Sequence, residues 1–144
     1  MHSDHTDGLP APSLTGWLGV PYANRTKPFV VDGPSGTQAM MRNLYAAFSE
    51  DRRIRFEDEH YPLSGLEIDA HDIGEGVVFE RQGVKVSAFP VFHGAHIQPA
   101  FGYRIDYQGH PVVLSGDTTY SQRVELEATR AELLGPEVPP VPGG

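Results

Sequence analysis

The chain has 144 residues, enough for one domain with a hydrophobic core, and its formal net charge is −8. The negative charge argues against broad, non-specific binding of nucleic acid, which requires a basic surface. Cysteine is absent, which excludes disulfides and thiolate metal sites, so any metal must be held by His, Asp, Glu and water.

The first half of the chain predicts short helices and strands separated by turns. Residues 8–17 predict a short helical segment that is interrupted by prolines. Because proline is tolerated only near a helix start, this helix cannot be long. Residues 28–32 (PFVVD) predict a strand, and the Gly-Pro-Ser-Gly segment after it predicts a turn. Apolar residues at helical spacing then predict a helix over residues 37–48, with Ser35 or Thr37 as its cap.

The middle of the chain begins with a charged stretch at residues 49–61, which we expect to be solvated, with Ile54 and Phe56 anchoring it. Residues 66–73 alternate apolar and polar side chains, the pattern of a half-buried strand. Two hairpins follow. Their turns are predicted at Gln82-Gly83 and at Gln108-Gly109.

The hairpin region contains the aromatic and branched side chains that we expect to be core or near-core: Phe89, Phe101, Tyr103 and Val112. Arg104 and Asp106 alternate with them, so they should be more exposed.

The character of the sequence changes after residue 122. Residues 124–134 form a charged helical pattern, and residues 135–144 are rich in proline and glycine, with no apolar face to bury. We therefore expect a main domain over residues 1–122 and a tail over residues 123–144 that is disordered at its end.

Two groups of residues could hold metal. His2, Asp4 and His5 lie within four residues, and they can converge only on a turn or helix entry, because a strand would alternate them. His93 and Asp117 each follow a predicted strand, so we expect the fold to bring both groups together around metal. The alternatives are a solvated N-terminal tail, a hydrogen-bonded histidine at a strand end and an Asx-turn aspartate. Thr118 and Ser115 should steady the Asp117 turn through their hydroxyl groups.

The segments HSDHTDGLP, VFHGAHIQPAFGYRI and VVLSGDT, in this order, resemble the metallo-β-lactamase superfamily. The branch that they resemble is that of ribonuclease Z-like and arylsulfatase-like hydrolases, and the Gly-Pro-Ser-Gly turn also fits that branch. The resemblance covers roughly residues 1–121. It implies an α/β fold, a truncated αββα sandwich with mixed sheets.

The resemblance also implies the roles of individual residues. His2 and His93 would bind a first metal ion, Asp4 and His5 a second, and Asp117 would contact both. The metals would be two Zn²⁺ ions, with iron or manganese as alternatives. A hydroxide bridging the two ions would be the nucleophile, which makes Asp4 and Asp117 the catalytic carboxylates.

The chain also departs from the family pattern. The family places a further His two residues before His2 and a final His near the C-terminus, and no residue after Asp117 supplies the latter. The apolar strand that normally follows the last motif is also predicted to be missing. These departures predict an internal piece of a longer hydrolase, and a chain that is weak or inactive by itself.

The function that the resemblance implies is hydrolysis of phosphodiesters, as in ribonuclease Z, with a small phosphodiester or RNA as substrate. Hydrolysis of sulfate esters or other small esters is the alternative, and an inactive truncated product is another. A basic patch for RNA would be formed by Lys27, Arg42, Arg52, Arg53 and Arg55. The alternative is that these residues simply form a solvated face. The resemblance implies a homodimer in the full-length parent. No membrane-spanning run or signal peptide is visible, so we expect a cytoplasmic protein.

Among the remaining histidines, His60, His71 and His110 match no ligand of the family and are predicted to lie on the surface. His96 is predicted either to contact a metal ligand without binding the metal itself, or to face the substrate. Trp17 is predicted to pack beneath the loop of the site.

Overall fold

The structure is a computed structural model that describes residues 2–135. The chain forms two compact units, one ending at Asp72 and the other starting at Ile73. The end of the predicted tail, residues 136–144, lies outside the described residues, so its predicted disorder is not tested. Along the described chain, no helix is long and apolar enough to cross a membrane.

The first unit contains two parallel strands and the helices around them. Strand β1 (Phe29–Gly33) pairs with β2 (Ile68–Asp72) in a register that runs from Phe29 opposite Ile68 to Gly33 opposite Asp72. The elements in chain order are a 3₁₀ turn (Ser3–His5), α1 (Pro10–Thr15), β1 (Phe29–Gly33), α2 (Thr37–Ala47), α3 (Ser49–Glu59), α4 (Leu63–Leu66) and β2 (Ile68–Asp72). The predicted helix at residues 8–17, the strand at 28–32 and the helix at 37–48 are therefore confirmed.

Trp17 is at the centre of the core of this unit. Its side chain is fully buried together with Leu18 and Leu66. The indole ring meets the Tyr61 ring edge-on at a centroid distance of 5.4 Å, and its Nε1–H donates to the Leu14 carbonyl at 2.8 Å. The largest aromatic side chain of the chain is thus satisfied both by packing and by a hydrogen bond.

Arg25 joins two parts of this unit that are distant in sequence. Its guanidinium donates to the carbonyls of Pro12 at 2.8 Å, Ser13 at 3.0 Å and Gly65 at 2.9 Å. Its own backbone N–H donates to the Gly16 carbonyl at 2.9 Å. Arg25 therefore fixes the end of α1 against α4 through charge-assisted hydrogen bonds.

The N-terminus of α2 is capped by a residue from another element. The prediction that Ser35 or Thr37 caps this helix is wrong. The N-cap residue is Gly36, whose φ is +101°. The Asp72 carboxylate, at the end of β2, accepts hydrogen bonds from the backbone N–H of Gln38 at 2.9 Å and of Gly36 at 3.1 Å. These bonds stabilise the ionised form, so the pKa of Asp72 is lowered from its ordinary value.

The charged stretch predicted after α2 is the regular helix α3. Arg53 pairs with Glu50 and Glu57, and Arg55 pairs with Asp51 and Glu59, at helical spacings of three or four residues. The prediction that Ile54 and Phe56 anchor this stretch is wrong, because their side chains are 43% and 45% exposed.

The second unit is a five-stranded sheet with one helix. The elements are β3 (Gly76–Arg81), β4 (Val84–Val91), β5 (Ala100–Tyr107), β6 (His110–Leu114), α5 (Gln122–Ala128) and β7 (Leu133–Gly135). The strand order is β3-β4-β5-β6-β7, and all neighbours are antiparallel except β6 and β7, which are parallel. The predicted α/β class with mixed sheets is confirmed.

Both predicted hairpin turns are present. Gln82 and Gly83 have φ values of +53° and +80°, and Gln108 and Gly109 have values of +50° and +86°. Two consecutive residues with positive φ define the turn whose twist matches that of the adjoining strands. Local sequence therefore determines the register of both hairpins.

The core of this unit contains Phe89 as predicted, since its side chain is only 1% exposed. Phe89 lies opposite Gly102 on β5, and the missing side chain of Gly102 leaves the space that the phenyl ring fills. On β6 the fully buried residue is Val113. Val112 is half-buried, which agrees with the core or near-core position predicted for it.

The prediction that no apolar strand follows the last motif is wrong. Leu133–Gly135 forms β7, which pairs in parallel with β6 from Val112 opposite Leu133 to Leu114 opposite Gly135. Three residues are too few to show a strand period in the sequence, and the pairing partner lies about twenty residues earlier in the chain.

Candidate metal centre

His93 and Asp117 lie at the same edge of the second unit's sheet. His93 follows β4 and Asp117 follows β6, and these strands are not neighbours, because β5 lies between them. The two side chains nevertheless approach to 3.4 Å between Nε2 of His93 and Oδ2 of Asp117. Each is 28% exposed, so solvent and a small ligand can reach both.

The separation of these two atoms suits two ligands of one metal ion. Zinc binds imidazole nitrogen and carboxylate oxygen at about 2.0–2.2 Å in tetrahedral geometry, which places two ligand atoms about 3.4 Å apart. A direct charge-assisted hydrogen bond would be shorter, at about 2.7–2.9 Å. The donor set of one imidazole and one carboxylate also accommodates iron or manganese.

The loop that contains Asp117 is shaped by a glycine. Gly116 has a φ of +61°, and a Cβ atom on it would lie 2.6 Å from the carbonyl oxygen of Phe101 on β5. The chain can therefore turn here only because residue 116 has no side chain. The hydroxyl of Ser115 donates to the Gly116 carbonyl at 2.9 Å, as predicted for the Asp117 turn.

The same loop is hydrogen-bonded to the segment after β4. The carbonyl oxygen of Phe92, the residue before His93, accepts the backbone N–H of Thr119 at 2.9 Å. The hydroxyls of Thr118 and Thr119 both lie 3.1 Å from the same oxygen. The predicted hydroxyl contact of Thr118 is confirmed, whereas sequence reasoning missed Thr119; the only signal for it was its place in a Thr-Thr pair directly after Asp117.

The other predicted ligands lie in the first unit, near the N-terminus. Ser3–His5 form a 3₁₀ turn, so the predicted turn, and not a strand, holds this cluster. Nε2 of His5 lies 3.6 Å from Oδ2 of Asp4, and the Thr6 hydroxyl bonds the His2 carbonyl at 3.2 Å. His2, Asp4 and His5 are exposed. That this group and the His93–Asp117 pair serve one metal centre stays a prediction.

The histidines predicted to lie on the surface do so. His60, His71 and His110 are all exposed. The His71 ring lies between two carboxylates, with Nδ1 3.0 Å from Asp32 and Nε2 3.1 Å from Asp69. His96 is exposed as well, and its predicted role near the ligands stays a prediction.

Two of the arginines considered for a basic patch are neutralised by their neighbours. Arg53 and Arg55 on α3 each pair with two acidic side chains of the same helix. The guanidinium of Arg52 stacks over the Tyr45 ring, 3.4 Å from its centroid. Helix α3 therefore has the character of a solvated, internally paired face, which was the alternative to the basic patch.

Comparisons with known proteins place this geometry in context. Residues 1–144 match the family model described as Beta-lactamase superfamily domain. The chain is 31% identical over 134 residues to the protein named Ribonuclease Z of Mycolicibacterium gilvum (strain PYR-GCK), an alignment covering 93% of this chain and 46% of that protein. It is 29% identical over 134 residues to the Putative ribonuclease Z of Mycobacterium tuberculosis (strain CDC 1551 / Oshkosh), covering 93% of this chain and 59% of that protein.

A solved structure with a similar fold is the crystal structure of human tRNase Z, short form. The TM-score is 0.57 at 18% sequence identity, and the match covers 93% of this chain and 53% of that chain. At this identity the likeness concerns the fold alone. The chain spans about half the length of the curated relatives it matches.

Proposed function

We propose that this chain, which belongs to the beta-lactamase superfamily, is a metal-dependent hydrolase of phosphodiesters with RNA as its substrate class. The family and its ribonuclease Z-like branch, predicted from the motifs, are confirmed by the matches to the family model and to proteins named ribonuclease Z. Activity, substrate and metal are the proposed part, because the relatives are about twice as long as this chain.

The observation that supports the proposal best is the approach of His93 and Asp117 from two non-adjacent strands to 3.4 Å. An imidazole and a carboxylate at this separation are suited to hold one metal ion. The 3₁₀ turn at Ser3–His5 supports a second part of the proposal, in which His2, Asp4 and His5 also supply metal ligands.

The metals proposed are two Zn²⁺ ions, which would supply a bridging hydroxide as nucleophile and stabilise charge on the phosphoryl oxygens. The residues of the chain have the remaining tasks. His93 would supply a ring nitrogen as a metal ligand. Asp117 would supply a carboxylate oxygen, which lies 3.4 Å from that nitrogen. Gly116 and Ser115 hold the Asp117 turn, so that the carboxylate is oriented before any ligand binds.

The proposal is tested by measuring zinc in the purified chain by elemental analysis, beside the variants His93→Ala and Asp117→Asn. His110→Ala is the matched control, because His110 is an exposed histidine of the same unit that pairs with Glu132. We expect zinc in the unsubstituted chain and in His110→Ala, and its loss in the two site variants. Equal zinc in all four proteins would contradict the assignment of the ligands.

The scissile bond is tested with bis(p-nitrophenyl) phosphate and p-nitrophenyl sulfate on the zinc-loaded chain. The proposal predicts faster hydrolysis of the phosphodiester, and loss of that activity in Asp117→Asn. Faster hydrolysis of the sulfate would favour the sulfate-ester alternative, because the fold and the metal pair are shared across these substrates.

A further inference from the structure

We infer that Thr119 is a positioning residue, which holds His93 and Asp117 at metal-binding separation by bonding the Phe92 carbonyl. The inference rests on the proposed metal-dependent function and adds to it a residue outside the predicted ligand set. In this role Thr119 contacts neither a metal nor a substrate, and it acts through the two loops that it joins.

The sheet by itself does not hold the two side chains together. Strands β4 and β6 are each hydrogen-bonded to β5, and neighbouring strands lie about 4.8 Å apart, so β4 and β6 are separated by about 10 Å. The loops after them must therefore lean towards each other over the beginning of β5. Gly116 lets the chain pass close to Phe101 there, and the bonds to Phe92 complete the approach.

The lone pairs of the Phe92 carbonyl and the single proton of the Thr118 hydroxyl indicate that Thr119, and not Thr118, makes the bond to Phe92. A carbonyl oxygen has two lone pairs, and the backbone N–H and the hydroxyl of Thr119 lie 2.9 Å and 3.1 Å from the Phe92 oxygen, which is enough to fill both. The hydroxyl of Thr118 has one proton and has a shorter acceptor, the Thr119 carbonyl at 2.8 Å, against 3.1 Å to Phe92. Thr118 therefore braces Thr119, and Thr119 makes the connection to Phe92.

The hydrogen bonds between Thr119 and Phe92 lie close to both site residues in the sequence. Phe92 directly precedes His93, and Thr119 lies two residues after Asp117, so a shift of either loop moves one of the two side chains. Thr119 is exposed, so its hydroxyl contributes little to the hydrophobic core. Removing that hydroxyl should therefore change the site geometry without unfolding the unit.

The test compares zinc affinity in Thr119→Val and Thr119→Ser, measured by competition with a chromophoric chelator. Valine keeps the shape of threonine and removes the hydroxyl, whereas serine keeps the hydroxyl. Thr129→Val is the matched control, since the Thr129 hydroxyl is also exposed and bonds a backbone carbonyl, that of Glu125 at 3.1 Å, in the same unit.

We expect Thr119→Val to weaken zinc binding by about 10- to 100-fold, the range for partners that orient metal ligands, with an unchanged melting temperature. Thr119→Ser and Thr129→Val should bind zinc like the unsubstituted chain. Unchanged affinity in Thr119→Val would overturn the inference. Equal weakening in the valine and serine variants would also overturn it, because the hydroxyl would then not be the cause.

A second measurement separates this inference from the proposed function. In the metal-free chain, the NMR signals of the His93 ring should move in Thr119→Val and stay in place in Thr119→Ser and Thr129→Val. If the unsubstituted chain binds no zinc, the proposed function fails, and these ring signals still decide whether Thr119 positions His93. Ring signals that are the same in all four proteins would refute the positioning role.

Discussion

Substitution of Gly65 by alanine should destabilise the first unit, although alanine is the better helix former. Gly65 is a buried residue of α4. A Cβ atom on it would lie 1.9 Å from the carbonyl oxygen of Arg25 and 3.3 Å from the Cβ of Trp17. The first of these distances is far below van der Waals contact, so the backbone at Arg25 would have to move.

The size of the effect follows from what holds Arg25 in place. Its N–H is bonded to Gly16, and its guanidinium is bonded to Gly65 and to two carbonyls at the end of α1. Overpacking costs about 1–3 kcal/mol, and each disrupted hydrogen bond adds about 0.5–1.5 kcal/mol. The gain in helix propensity is only about 1 kcal/mol, so the net loss should be about 2–3 kcal/mol.

Trp17 makes this loss measurable. It is the only tryptophan of the sequence, it is fully buried, and it is in contact with the position that a side chain at residue 65 would occupy. Urea unfolding followed by its fluorescence should show a lower midpoint for Gly65→Ala, with an unchanged slope. Gly8→Ala is the matched control, because a Cβ atom there would have nothing within 4 Å. A midpoint for Gly65→Ala equal to or above that of the unsubstituted chain would refute the steric argument.

Two further substitutions test the other parts of the fold. Asp72→Ala should lower the melting temperature at neutral pH, because it removes the acceptor for Gln38 and Gly36. Since the pKa of Asp72 is lowered in the folded state, this contribution is present above about pH 4 and is lost as the pH falls through the lowered value. A difference in melting temperature that stays constant on acidification would contradict this. Gly102→Ala should destabilise the second unit by about 1–3 kcal/mol, because its Cβ would lie 2.5 Å from the ring of Phe89. Thermal unfolding by circular dichroism measures this, and an unchanged melting temperature would argue against a filled core there.

The hairpins and the positions of the site residues could be predicted because their signals are local. Glycines between two strand-like runs indicated the turns at residues 82–83 and 108–109, since glycine adopts positive φ without steric cost. His93 and Asp117 could be named as candidates because each lies in the loop just after a strand. The motifs added the family, which neither composition nor periodicity contains.

The bonds that shape the site could not be predicted, because they join residues that are distant in the chain. Thr119 bonds Phe92, 27 residues earlier, across an intervening strand. The local signal near residue 119 is a pair of threonines, which is compatible with many turns. Only the placement of β5 between β4 and β6 gives that pair a definite partner.

By itself, the sequence determined what short-range chemistry determines: the turns, most helices and strands, the absence of thiolate ligands and the residues able to bind metal. The tertiary structure decided which face of β6 is buried, that residues 133–135 join the sheet, and that Asp72 rather than a nearby residue caps α2. The physical reason is the range of the interactions. Backbone conformation is chosen within a few residues, whereas burial, strand pairing and capping across elements exist only once distant segments are packed together.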